Sequence, residues 1–326
     1  MSIKRNNWFL LIFAVGFTVL SSMFSSLTRW NLYSVIPYLL LFGLGLLLIK
    51  KDKDETVTFK SVLPYHVGIK PLTALITVAL VFLLMPLATL LAELGSLLGG
   101  DIVSLFNQVQ STRQASFIEQ LFGTALVPAV FEEMFFRGFF YQGFKKARGA
   151  RTAIILTAIL FGVFHMNVQQ TLYAIALGIV IAVLREATGS MWTGMLFHFV
   201  NNGFSVVCTC VKEGSALEAI LLKLPSVNVH YIGEAHSYNT DLGFSIAVLI
   251  VFTALAIFLL RVLCKKEGCL QDAKRLFKRD TDPHDRLVTA PLVLTFIYYG
   301  FAVLIMSLVM KVAPAMMNGS FLSQYQ

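Results

Sequence analysis

Charge is what this sequence has least of. Only 13% of its 326 residues are charged, against 57% hydrophobic and a mean hydropathy of +0.75. A soluble domain carries roughly 25% charged residues, and a soluble fold built from this composition lacks the polar surface to face water. Low-complexity tracts are absent, as are internal repeats and any hydrophilic stretch long enough to fold alone. Those absences exclude a disordered scaffold and a soluble enzyme. Cysteine is scarce as well, with Cys208, Cys210, Cys264 and Cys269 the only four. Cys208 and Cys210 are too close to bridge along a helix, and no C-x-x-C pairs stand at metal-ligand spacing, so a disulfide-rich secreted module is excluded. What remains is a polytopic membrane protein.

A spanning helix needs about 20 mostly apolar residues. Nine segments qualify, at about 8–27, 32–49, 72–92, 117–140, 152–167, 169–184, 190–210, 242–260 and 288–310. The expected fold is therefore all-α, a transmembrane helix bundle of about nine spans forming one integral-membrane domain over 1–326. With the N-terminus cytoplasmic, 20 of the 26 basic residues fall on the inner side, five on the outer, and Arg137 lies within a span. This positive-inside bias accounts for the net charge of +8 without nucleic acid as a partner. The N-terminal Lys4 and Arg5 followed by an apolar run resemble a signal peptide, but with eight further spans the run reads as the first membrane helix. The basic loop 264–287 is expected at the inner leaflet, where Leu270, Ala273, Leu276 and Phe277 recur at helical spacing among lysines and arginines. Gly95-x-x-x-Gly99 has the spacing of a close helix contact.

Ionisable residues inside a span are costly and point to function. Here they cluster. The fourth segment holds Glu132, Glu133 and Arg137, the fifth His165, and the seventh His198 and Asn202. Glu132 lies 13 residues from Lys145, His165 lies 14 from Arg151, and His198 lies 13 from Arg185. At about 1.5 Å per residue, each sits roughly 20 Å from its inner anchor, so three helices place polar groups at one depth. Glu133 and Arg137 share a face and are expected to form an internal ion pair. Glu132 points about 100° away and is free to face a cavity. Pro128, one turn earlier, is expected to kink the helix. A buried carboxylate can take a proton from water, and imidazole and amide groups can hold that water or donate to an oxyanion.

These blocks, Glu132-Glu133-x-x-x-Arg137, Phe161-x-x-x-His165 and His198-x-x-x-Asn202, resemble the CPBP family of intramembrane endopeptidases. That family includes the type II CAAX prenyl proteases and proteins of bacteriocin processing and self-immunity. The resemblance covers about 115–210, the expected catalytic core. It implies that Glu132 and His165 activate water, that His198 and Asn202 stabilise the oxyanion, and that Glu133 and Arg137 support the site. It implies no cofactor, and a membrane-associated protein or peptide as substrate within the lipid bilayer.

Other chemistries suit the same residues. Glu132, His165 and His198 are legitimate zinc ligands, although no H-E-x-x-H occurs. A proton-coupled transporter would use them as a relay, and an immunity or scaffold protein would keep the pocket without catalysis. Neither a serine-type G-x-S-G nor an aspartyl G-x-G-D motif is present.

Overall fold

A computed structural model describes residues 2–25, 35–51, 57, 62, 68–100, 116–211, 214–221, 242–268 and 286–317, and among these there is no strand. The helices are α1 (Ile3–Ser25), α2 (Val35–Lys50), α3 (Pro71–Gly99), α4 (117–147), α5 (150–164), α6 (Val168–Thr188), α7 (Met191–Cys210), α8 (Ala216–Leu221), α9 (Leu242–Lys266) and α10 (Ala290–Met317). Local chemistry sets their ends. Pro71 opens α3, where its missing N–H costs nothing. Ser116 and Glu119 form a reciprocal capping box at the start of α4. At the end of α4, Arg148 leaves helical geometry and Gly149 adopts φ +79°, so α5 departs in a new direction. The Asn167 side chain caps α6 by accepting the Gln170 N–H, and Gly189 (φ +66°) closes it, donating to the Arg185 carbonyl.

Six helical stretches among the described residues are long and apolar enough to cross a membrane: 3–24, 71–99, 117–164, 168–188, 243–266 and 290–310. The count differs from nine for physical reasons. The 48-residue stretch 117–164 contains two of the expected spans, divided at Arg148–Gly149. Helix α2 is apolar but only 16 residues long. Helix α7 has 20 residues, but its apolar run is interrupted by His198, Asn201 and Asn202. The amphipathic segment expected within 264–287, and Cys269 with it, lies largely outside the described residues.

Polar contacts gather at the helix ends that carry the basic residues. Lys70 pairs with Glu267 at 2.7 Å, and Thr73 donates to the same carboxylate at 2.6 Å, tying the start of α3 to the end of α9. Lys145 reaches both Glu186 oxygens at 2.7 and 2.8 Å, and Tyr141 donates to Glu186 at 2.6 Å, tying α4 to α6. Asn7 donates to the Leu287 carbonyl at 3.0 Å and to Thr289 at 2.8 Å, which joins α1 to the approach of α10.

Between the ends, packing is aromatic. Phe9 and Phe13 of α1 meet Phe135, Phe136, Phe139 and Phe140 of α4, all fully buried. Ring centroids stand 4.3 Å apart for Phe13–Phe135 and 5.4 Å for Phe13–Phe164. The phenylalanines beside the Glu132 motif therefore pack inward and do not face lipid. The Gly95/Gly99 spacing marks a helix contact, as expected. A Cβ on Gly95 would lie 2.5 Å from the Gln169 Cα, and one on Gly99 would lie 2.7 Å from the Val168 Cβ, so α3 presses directly on the first turn of α6. On the outside, Ile250, Phe258, Ile297 and Phe301 are each about 60% exposed, an apolar face suited to lipid.

Two outcomes follow from this packing. Gly95→Ala forces a methyl against backbone and is expected to destabilise the bundle by about 1–3 kcal/mol, whereas Gly43→Ala, with nothing within 4 Å, leaves it unchanged. Melting in detergent micelles distinguishes them. The bonds from Lys70 and Thr73 hold the Glu267 carboxyl below its ordinary value. A carboxyl depressed in the fold stabilises above its unfolded value, and the effect is lost as pH falls through the folded value. Glu267→Gln should therefore melt earlier than wild type at pH 7, and the gap should close as pH drops below about 4.3.

Candidate active site

Helix α4 is wound unevenly around its acidic pair. Pro128 has no N–H, so the Thr124 carbonyl loses its regular donor four residues on. The chain responds with a π-helical turn over Leu121–Leu126, where the Val127 N–H reaches back to the Phe122 carbonyl. Asn202 of α7 supplies a replacement, its amide donating to the Thr124 carbonyl at 3.1 Å. A second π-helical stretch spans Met134–Phe140. The regular segment between them, Val127–Glu133, carries Glu132 and Glu133. Wide turns of this kind re-aim side chains and are frequent at functional sites.

Glu133 and Arg137 form the expected ion pair, Nη1 to Oε1 at 3.0 Å, with both side chains fully buried. The pair reaches further than spacing along one helix could tell. Arg137 Nη2 donates to the Gly178 carbonyl of α6 at 3.0 Å, and its guanidinium lies 4.6 Å from the Phe161 ring centroid. Glu133 Oε1 also accepts from His198 Nδ1 at 3.2 Å. One carboxylate oxygen thus joins α4 to α7, while the arginine joins α4 to α6.

With Nδ1 committed to Glu133, His198 turns Nε2 toward Glu132, 3.9 Å from Oε2. That is too long for a direct hydrogen bond. The other oxygen, Oε1, accepts from the Tyr38 hydroxyl of α2 at 2.6 Å, whereas Oε2 is buried without a hydrogen-bond partner. His165, at the end of α5, donates from Nδ1 to the Phe161 carbonyl at 2.9 Å, since a carbonyl can only accept. In the neutral ring this leaves Nε2 as an acceptor. Glu132 and His198 both lie within electrostatic range of this ring. The turn after it is tight: Met166 sits at φ +56°, unusual for a residue with a side chain, and Asn167 Nδ2 donates to the His165 carbonyl at 2.7 Å.

The structure therefore brings Glu132, Glu133, Arg137 and His198 into one buried cluster, with His165 beside it. Asn202 stands one turn along α7 from His198, its amide nitrogen donating to Thr124 and its oxygen accepting from Asn201 at 3.1 Å. Tyr38 was not singled out in the sequence. Its signal was a phenol in the middle of an apolar run, but nothing in that run says which helix it faces. The carbonyls of Thr124 and Gly178 leave no trace in side-chain identity at all. Among the described residues no three His, Cys, Asp or Glu side chains are grouped so as to hold a metal ion.

Removing one partner from a buried pair strands the other charge. Arg137→Gln is expected to cost about 3–5 kcal/mol, read as an earlier melt of the purified protein, and to exceed the cost of any exposed lysine substitution.

Comparison with known proteins adds one match. Residues 114–204 match the family model described as Rce1-like, type II CAAX prenyl endopeptidase. No curated protein and no solved structure gives a significant match to the chain. The matched segment contains Glu132, Glu133, Arg137, His165, His198 and Asn202, while α1–α3, α9 and α10 lie outside it. Residues 114–204 of this multi-pass integral membrane protein, with the buried acidic and histidine cluster they carry, are thus similar to the type II CAAX prenyl endopeptidase family.

Proposed function

We propose that the protein is a glutamate-type endopeptidase that hydrolyses a peptide bond in a membrane-associated protein or peptide, without a metal. The observation that carries this reading is the Glu132 carboxylate, buried, with Oε2 unpartnered and 3.9 Å from His198 Nε2. Such a gap suits a water that donates to the carboxylate and lies beside the imidazole.

In this mechanism Glu132 Oε2 takes a proton from water while its oxygen attacks the scissile carbonyl carbon. His165, whose Nε2 is free to accept, holds the same water. The negative charge that develops on the carbonyl oxygen is met by His198 in its doubly protonated form, donating from Nε2 while Nδ1–H stays on Glu133, and by the N–H that Asn202 does not give to Thr124. As the tetrahedral intermediate collapses, the C–N bond breaks and the Glu132 proton passes to the leaving amine. Glu133 and Arg137 do not touch substrate; they hold His198 by its other nitrogen. Seated among apolar helices, these groups act with little competing water. In the same reading the chain crosses the membrane nine times. Its N-terminus and the ends joined by Lys70–Glu267 and Lys145–Glu186 face the cytoplasm, which their basic flanks support.

Glu132→Gln keeps the side chain's size and removes the base. In nanodiscs, with a quenched farnesylated CAAX peptide and its unprenylated counterpart as probes, it should lose at least about a hundredfold in rate. Wild-type rates in that variant overturn the mechanism. A chelator should leave wild-type cleavage intact; activity lost to chelation and restored by zinc would instead identify a metalloenzyme.

A further inference from the structure

We infer that Tyr38, on α2 and outside the family-matched segment, is a positioning residue for Glu132: its hydroxyl anchors Oε1 and so reserves Oε2 for the reacting water. This rests on the reading of Glu132 as the base. The last torsion of a glutamate is soft and roughly two-fold, so an unanchored carboxylate rotates and presents either oxygen. At Glu132 that freedom is removed by one bond of 2.6 Å, donated by a phenol that is itself buried. The Tyr38 ring cannot swing away. It is stacked on Phe131, with centroids 5.5 Å apart and planes 13° apart, and it lies 4.7 Å from the Phe17 ring.

Besides Tyr38, the ionisable groups that face Glu132 are Arg137 on its own helix and, from three further elements, His165 on α5, His198 on α7 and Tyr299 on α10. Among the described residues only Tyr38 hydrogen-bonds to the Glu132 carboxylate. Helix α2 therefore completes the site from outside the segment that carries its motifs.

Tyr38→Phe keeps the ring and its stacking and removes only the O–H. A hydrogen bond donated to a carboxylate favours its ionised form. With the farnesylated peptide in nanodiscs, the variant should lose about tenfold in kcat with KM within about twofold. The acidic limb of its kcat/KM profile should move to higher pH. Replacing Tyr38 with 3-fluorotyrosine, a stronger donor of the same shape, should move that limb the other way. A merely structural role for the ring would alter neither limb. A wild-type profile in Tyr38→Phe, with Glu132→Gln inactive, overturns the positioning role and leaves the base in place. Full activity in Glu132→Gln overturns the functional reading itself and this inference with it. If the wild type cleaves neither peptide, difference infrared spectra decide. The Glu132 carboxyl band, isolated by subtracting Glu132→Gln, must change in Tyr38→Phe, and an unchanged band overturns the inference.

Discussion

The Glu133–Arg137 pair is the interaction around which the interior is arranged. A charge taken into an apolar bundle is tolerated only if its partner and the remaining donors and acceptors are satisfied nearby. Here that demand is met across helices: the arginine donates to the Gly178 carbonyl of α6, and the glutamate accepts from His198 of α7. Meeting it fixes the register of three helices at one depth. It also fixes the orientation of the histidine ring, whose Nδ1 is held and whose Nε2 is turned to Glu132. The ion pair thus holds in place the ring that faces Glu132.

The second constraint is the backbone of α4. Pro128 withholds a donor, the turn before it widens, and the Thr124 carbonyl is taken up by Asn202. A residue expected at the oxyanion is thereby also a brace between α7 and the bent helix. The two roles are compatible, because a primary amide has two N–H donors and the Thr124 bond uses one. Around this, the phenylalanines of α1, α4 and α5 form a dry wall on one side of the carboxylates, and Tyr38 is the polar exception in it.

Much of the site was legible in the residues. The i,i+4 spacing of Glu133 and Arg137 announced their pair, since helical geometry alone brings such side chains together. Counting from the basic anchors placed Glu132, His165 and His198 at one depth, because rise per residue is constant. Gly95 and Gly99 announced a close helix contact, which proved to be with the start of α6. Three things were not legible. The span count blurred where Arg148 and Gly149 break a continuous apolar stretch, and where polar residues dilute α7. The burial of Phe135, Phe136, Phe139 and Phe140 could not be told from lipid exposure, because a membrane helix is apolar on both sides. Tyr38 gave no sign of its partner.

By itself the sequence determined the class of the protein and which residues carry charge into its interior. Scarce charge requires a bilayer, basic residues mark the ends of helices, and a carboxylate with two histidines at one depth requires a polar interior. These are one-dimensional properties, set by composition and by distance along a helix. Which oxygen of Glu132 is held, which nitrogen of His198 faces it and which helix supplies Tyr38 were decided only by tertiary structure. The physical reason is that hydrophobic periodicity says little about helix orientation when lipid and protein interior are equally apolar. Rotation about each helix axis is settled by packing and by buried polar bonds between helices, and those depend on which neighbours meet.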